Sequence, residues 1–254
     1  MKPDTSSPHT TSDRFSNQAK EQEGCMDIAN QQSIPEERLT ITRRFHFSAS
    51  HELRKLPPTH KCSRNHGHNY SVTASALVHD SAASETLSCL GDYLDKTFDH
   101  RLLNEQVDFP PTSELLARHL ADWFDDTIAS AMPMTLAAMV VSETDTTSAR
   151  CDGPTREVTI AKRFPSSHGD VTLVLGADGL DEFGFVTDFG ALQPFAQHLR
   201  AHASDAGHRD LGPVVSHLAG WFLDNVEPKI HGRLASVRVE SRTATGLWER
   251  GAAA

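Results

Sequence analysis

The chain has 254 residues, 38% of them hydrophobic, with 12 Phe and 3 Trp, enough apolar material for one large domain or two small ones. Its formal charge of −10 argues against general nucleic-acid binding, which calls for a basic surface. No apolar stretch reaches the length of a membrane span and no apolar leader core is read at the N-terminus, so a cytoplasmic protein engaging neither membrane nor nucleic acid is expected.

Residues 1–37 are rich in Ser, Thr, Gln, Asp and Glu and read as a disordered polar tail. The four cysteines, Cys25, Cys62, Cys89 and Cys151, show no paired spacing, which fits a reducing compartment better than a disulfide framework. The first ordered segment, Leu39 to His51, alternates as a strand, with Phe45, Phe47, Ala49 and His51 on one face. Residues 52–68 read as a loop and Asn69 to Val78 as a second strand. Leu87, Leu90, Leu94 and Phe98 then fall at helical spacing, with Ser84 placed to cap. Pro110-Pro111 precedes a second helix, Ser113 to about Thr127, and a strand around Leu136 to Glu143 closes this half.

The second half replays that order. The run Glu157 to His168 echoes Thr40 to His51, Leu218 to Phe222 echoes Leu120 to Phe124, and Val237 to Ser241 echoes Val140 to Thr144, which pairs Glu240 with Glu143. It also carries a predicted strand, Phe183 to Phe189, with Asp188 placed to cap a helix beginning near Gly190. Asp152-Gly153-Pro154 marks the boundary. The expected organisation is therefore 1–37 tail, 38–151 catalytic unit and 155–250 a related unit without the chemical residues.

Those residues cluster in the first half. An isolated His-x-His is ordinarily two surface histidines, but His66 and His68 lie at period two and His51 ends a strand nearby, so three imidazoles can converge on one ion. Three neutral nitrogen ligands with an open fourth position favour a catalytic Zn²⁺, although imidazole alone admits other divalent ions. Lys61 and Arg64 flank Cys62 and, with a metal nearby, are expected to favour its thiolate, whereas Cys25, Cys89 and Cys151 have no such setting. Arg54, Lys55, Lys61 and Arg64 give a locally basic rim. Asp99-His100 ends the first helix, where such a pair is routine, and Glu143 can accept two parallel hydrogen bonds from a guanidine-like edge.

Phe45-x-Phe47-x-Ala49-x-His51, His60-Lys61-Cys62-x-x-x-His66-Gly67-His68-Asn69-Tyr70, Asp99-His100-x-x-Leu103-Asn104, Pro111-Thr112-Ser113-Glu114 and Ser142-Glu143-Thr144 together resemble the 6-pyruvoyl-tetrahydropterin synthase superfamily. The short gap between Cys62 and His66 resembles its 6-carboxy-5,6,7,8-tetrahydropterin synthase branch, of queuosine precursor synthesis. The resemblance implies an α+β chain of two tandem tunnelling-fold units, each an antiparallel sheet with two helices on one face. It implies zinc on His51, His66 and His68, Cys62 as proton acceptor, Asp99 and His100 as relay partners reaching across from a neighbouring subunit, and Glu143 as the pterin anchor and, as in some relatives, a catalytic member of the relay. The implied reaction converts 7,8-dihydroneopterin triphosphate to 6-carboxy-5,6,7,8-tetrahydropterin, releasing acetaldehyde and triphosphate. Triphosphate elimination to a 6-pyruvoyl product and a non-catalytic pterin binder are the alternatives. The second half lacks the metal loop, and Gly207-His208 stands where Asp99-His100 stands in the first. A homo-oligomer of alternating halves, for which a trimer of duplicated chains is one solution, is expected.

Overall fold

Alternating strands need a face to bury, and here nine of them share one sheet. The computed structural model describes residues 39–78, 87–202 and 210–251; the predicted tail, Cys25, Ser84 and Gly207-His208 lie outside them. The described elements are β1 (Leu39–His51), β2 (His66–Val78), α1 (Ser88–Thr97), β3 (Arg101–Leu102), α2 (Ser113–Phe124), β4 (Met134–Thr144), β5 (Thr147–Asp152), β6 (Val158–Ser166), β7 (Gly169–Gly176), α3 (Gln193–Ala201), α4 (Gly212–Asn225), β8 (Arg233–Glu240) and β9 (Thr245–Glu249). The sheet runs β3-β1-β2-β4-β5-β6-β7-β8-β9. Every pairing is antiparallel except the short one between β1 and β3.

One face of this sheet carries the core. Tyr70, Val72 and Ala74 of β2, Val141 of β4, Ile160 and Phe164 of β6, and Val171 and Leu173 of β7 are buried. They join Leu90, Leu94, Leu116, Leu120, Phe195, Leu218 and Phe222 from the four helices in one contiguous cluster. The α+β class expected from sequence is thus observed. α2 begins where Thr112, two residues after Pro110, accepts a hydrogen bond from the amide of Leu115 as an N-cap.

Three expectations need correction. β2 starts at His66, not Asn69, so both histidines of the His-x-His motif are strand residues and the loop ends earlier. β5 was not foreseen, because small and polar residues, Thr147, Ser148, Ala149 and Arg150, carry its alternation. It pairs with both β4 and β6, so the two halves meet in a continuous ladder. Phe183 to Phe189 forms no strand. The Asp181 carboxylate takes the amides of Phe183 and Phe185, Glu114 takes that of Val186, and Thr112 donates to the carbonyl of Gly184. Side chains have captured the groups that a ladder would use. Asp188 does cap the helical turn Phe189–Leu192 that leads into α3.

The halves share order, bulge position and ring stacking. β2 and β7 each shift register by one residue against the following strand, opposite Ala137 and Ala235. Tyr93 stacks on Trp123 at 4.4 Å and His198 on Trp221 at 4.0 Å. This correspondence revises two of the sequence echoes. Aligning the bulges places Ser241, not Glu240, at the position of Glu143; Glu240 is exposed and matches Ser142. A one-residue slip turns a strand side chain to the other face. Phe164 stands opposite Val171 as Phe45 stands opposite Val72, so His168 lies in the β6–β7 turn and is no counterpart of His51.

Candidate active site

The metal constellation is a product of strand register. In the β1–β2 ladder His51 pairs with His66 and Ala49 with His68, so the three imidazoles project from one end of the core face. His51 is buried, and its Nδ1 donates to the carbonyl of Pro111 at 2.7 Å, while Nδ1 of His66 donates to the carbonyl of Arg64 at 2.8 Å. Both Nε2 atoms are therefore lone-pair acceptors, yet they face each other at 3.1 Å. Nε2 of His68 is buried without a hydrogen-bond partner among the described residues. One ring nitrogen from each histidine lies within 4.8 Å of the others. Opposed lone pairs beside an orphaned third are satisfied by a shared cation, and backbone carbonyls behind two of the rings fix the tautomers that a metal requires. Burial, with His66 adding and the Pro111 bond opposing, lowers His51 to about 4, so its imidazole is neutral near pH 7.

A cavity of about 440 Å³ opens beside this cluster. Cys62 and Glu143 share it with the three histidines, together with Ser113 and Glu114 at the start of α2. Cys62 sits in a helical turn, Lys61–Ser63, whose N-cap His60 accepts the Cys62 amide at 3.2 Å. Nε2 of His60 must then carry the proton, which it donates to Asp188 at 3.0 Å. Burial raises the Cys62 thiol, Glu143 and Asp188 add to the rise, and only Lys61 opposes it. Burial likewise raises Glu143 against the opposing His68 and a hydrogen bond with Ser113, and it raises Glu114 to about 8.

The remaining predicted site residues lie elsewhere in the chain. Asp99 accepts the Ser48 amide at 2.8 Å and His100 Nδ1 at 2.7 Å, and the Ser48 bond is the main cause holding its carboxyl below the usual range. Neither residue lines the cavity that holds Cys62; His100, with a φ of 55°, is exposed beside Ser48, Gly67 and Asn69. Of the four rim cations only Lys61 reaches the cavity, since Arg54 and Lys55 line a separate hollow with Asn104 and Phe109. In their place the second half supplies Lys162, Phe185, Asp188 and Phe189. Sequence reasoning gave none of these four a site role, although one signal was present. Val158, Ile160 and Phe164 alternate on the core face of β6, and Lys162 interrupts them.

Comparison with known proteins places a family match in the first half of the chain. Residues 40–154 match the family model for 6-pyruvoyl tetrahydropterin synthase. Residues 40–154 belong to that family. The chain is 30% identical over 92 residues to the 6-carboxy-5,6,7,8-tetrahydropterin synthase of Bacillus subtilis, a match covering 32% of this chain and 62% of the relative. The chain thus spans less than two thirds of that relative's length. Among solved structures it is similar to an uncharacterized protein from Wolinella succinogenes, at 17% identity and a TM-score of 0.40, covering 46% of this chain and 98% of the other. It is also similar to the 6-pyruvoyl tetrahydropterin synthase of Caenorhabditis elegans, at 27% identity and a TM-score of 0.34, covering 43% and 91%. The matched family segment contains His51, Cys62, His66, His68, Asp99, His100 and Glu143 and stops before β6. Among the described residues no helix is long and apolar enough to cross a membrane.

Proposed function

We propose that the protein is a zinc-dependent carbon–carbon lyase that converts 7,8-dihydroneopterin triphosphate and one water to 6-carboxy-5,6,7,8-tetrahydropterin, acetaldehyde and triphosphate. The observation that carries this reading is the convergence of His51, His66 and His68 on one point, in the same cavity as Cys62 and Glu143. His51, His66 and His68 would hold Zn²⁺, which when bound would supply a Lewis acid toward the hydroxyls of the substrate side chain. Glu143 accepts two hydrogen bonds from the guanidine-like edge of the pterin, which a carboxylate does in planar, bidentate fashion. Cys62 takes the side-chain proton, and substrate and metal binding must first offset the burial that holds its thiol protonated.

Asp99 and His100 complete the proton relay at a neighbouring copy's cavity, since they do not line the cavity of their own chain. That geometry supports a homo-oligomer. We read the two halves as tandem tunnelling-fold units, on their shared strand order, bulges and stacked rings. Cys62, Cys89 and Cys151 are free thiols, in keeping with a reducing cytoplasm.

The deciding experiment incubates zinc-loaded protein with 7,8-dihydroneopterin triphosphate and identifies products by mass spectrometry. Acetaldehyde with the 6-carboxy product is expected. A 6-pyruvoyl product would replace the reaction assigned here, and tight binding without turnover would make the chain a pterin binder. Metal analysis of His51→Ala, His66→Ala and His68→Ala proteins should show zinc lost, with Cys62→Ala retaining it.

A further inference from the structure

Lys162 is anomalous for a core-facing strand residue. It occupies β6 between the buried Ile160 and Phe164, opposite Thr147 on β5 and Leu173 on β7, yet its ammonium takes part in no ion pair or hydrogen bond among the described residues. Its neighbour Arg163 on the other face is paired with Asp170 at 2.8 Å. An inward lysine without a carboxylate is unfavourable unless something else meets the charge. Its Nζ lies 5.7 Å from the Phe164 ring centroid and 5.3 Å from that of Phe189, a partial compensation only. Asp188, the nearby acid, is already engaged by His60 and by the amide of Gly190.

Both Lys162 and Lys61 line the catalytic cavity, and burial lowers Lys162 with the nearby Lys61 charge adding to the effect. Lys61 also takes part in no ion pair or hydrogen bond among the described residues. Around them on the cavity wall stand Thr144, Thr146 and Thr147, whose hydroxyls can donate. Two ammonium groups on the wall of one cavity, with threonine hydroxyls beside them, are chemistry for a multiply charged oxyanion, which lysine binds as a point charge. The carboxyls of Glu114, Glu143 and Asp188 line the same cavity, and Asp188 favours the Lys162 charge, yet among the described residues neither ammonium is paired with any of them.

We infer that Lys162, from the half outside the matched family segment, joins Lys61 to bind the polyphosphate tail of the substrate and so makes the site selective for a phosphorylated over an unphosphorylated pterin. The identity of the anion rests on the proposed reaction; the anion site itself rests on the two lysines. The second half thereby completes the site within the same chain, with the His60–Asp188 hydrogen bond holding its wall against the turn that carries Cys62.

The test titrates inorganic triphosphate into the zinc-loaded full chain by calorimetry, comparing wild type with Lys162→Met, Lys162→Arg and Lys55→Ala. Methionine suits a core-facing position, so Lys162→Met should melt at or above the wild-type temperature while binding triphosphate about tenfold more weakly. Lys162→Arg should stay within about threefold, and Lys55→Ala, in its separate hollow, within about twofold. Wild-type protein that does not bind triphosphate, or Lys162→Met protein that binds it like wild type, overturns the inference. A Lys162→Met protein that unfolds is replaced by Lys162→Gln, judged by the same criterion. Protein that binds triphosphate through Lys162 but leaves dihydroneopterin triphosphate intact upholds this inference and defeats the proposed reaction.

Discussion

The imidazole of His60 donates to the carboxylate of Asp188 at 3.0 Å, joining two residues 128 positions apart. His60 also accepts the amide of Cys62, so a carboxylate from the second half sets the orientation of the turn that presents the thiol in the first. Asp188 has an electrostatic effect too, since its charge helps to raise the thiol above its ordinary value.

Opposite shifts should follow from the two neighbouring charges. Asp188→Asn retains an oxygen that can accept from His60 but removes the negative charge, so the Cys62 thiolate should form at lower pH. Lys61→Ala removes the opposing positive charge and should move it to higher pH. The pH dependence of iodoacetamide modification, followed by mass spectrometry of the Cys62 peptide, reads both. An Asp188→Asn profile that stays in place or moves upward defeats this account.

Glu114 makes the stability of the chain depend on pH. Its folded value of about 8 lies above the ordinary carboxyl value of about 4.5, chiefly because of burial. A carboxyl raised by folding contributes stability that is fully present below the unfolded value and is lost as pH rises through the folded one. Wild type should therefore lose, between about pH 4.5 and 8, on the order of a few kcal/mol that Glu114→Gln does not lose. The glutamine keeps an oxygen for the Val186 amide, which wild-type Glu114 accepts at 3.1 Å. Urea denaturation at pH 5, 6.5 and 8 should show the variant gaining on wild type with each step; a constant difference would falsify the linkage.

Much of this site was legible in sequence because it rests on local periodicity. The alternation of Phe45, Phe47, Ala49 and His51 gives β1 its face, and period two places His66 and His68 together. Antiparallel register then brings His51 opposite His66 without any longer-range information. Glu143 was legible for the same reason, since it follows Val141 by two on β4. What could not be read was tertiary. The segment from Phe183 to Phe189 has the composition of a strand, and only the competing acceptors Asp181 and Glu114 make it a loop. The basic rim failed because four cations close in sequence diverge in space, with Lys61 alone reaching the cavity. Lys162 could have been noticed as a charge within an apolar alternation, but its cavity exists only once β5 joins the halves.

Gly184 is where the second half's wall can be loosened without touching a site residue. It adopts φ of 90°, and an added Cβ would stand 2.6 Å from Cδ1 of Leu115. The Leu115 contact can relax by side-chain movement, whereas the backbone angle is strained for any residue with a Cβ. Gly184→Ala should destabilise the chain by about 1–3 kcal/mol. Because the Gly184 carbonyl accepts from Thr112 at 2.9 Å, the docking of residues 181–189 on α2 should weaken with it. Hydrogen exchange should show faster exchange of the Val186 amide, together with a lowered urea midpoint. An unchanged midpoint would show that the strain is absorbed elsewhere.

The position of the Asp99–His100 pair separates two ways of building the relay. Within one chain, Asp99 is tied to the Ser48 amide and His100 lies exposed beside Gly67 and Asn69, while Cys62 opens into a different cavity. If the relay serves a neighbouring copy, Cys62→Ala and His100→Ala damage different components of a shared site. Each variant alone should be inactive or nearly so. Mixed and allowed to exchange subunits, they should regain turnover, because some interfaces then combine an intact Cys62 from one chain with an intact His100 from the other. Random pairing restores about a quarter of the sites, so recovered activity should approach that fraction of wild type. The double variant Cys62→Ala/His100→Ala mixed with wild type is the control, since there the intact residues come from one chain. Recovery in the first mixture requires transfer between subunits; no recovery, with subunit exchange verified by mass spectrometry of the intact assembly, would place the pair's action within its own chain.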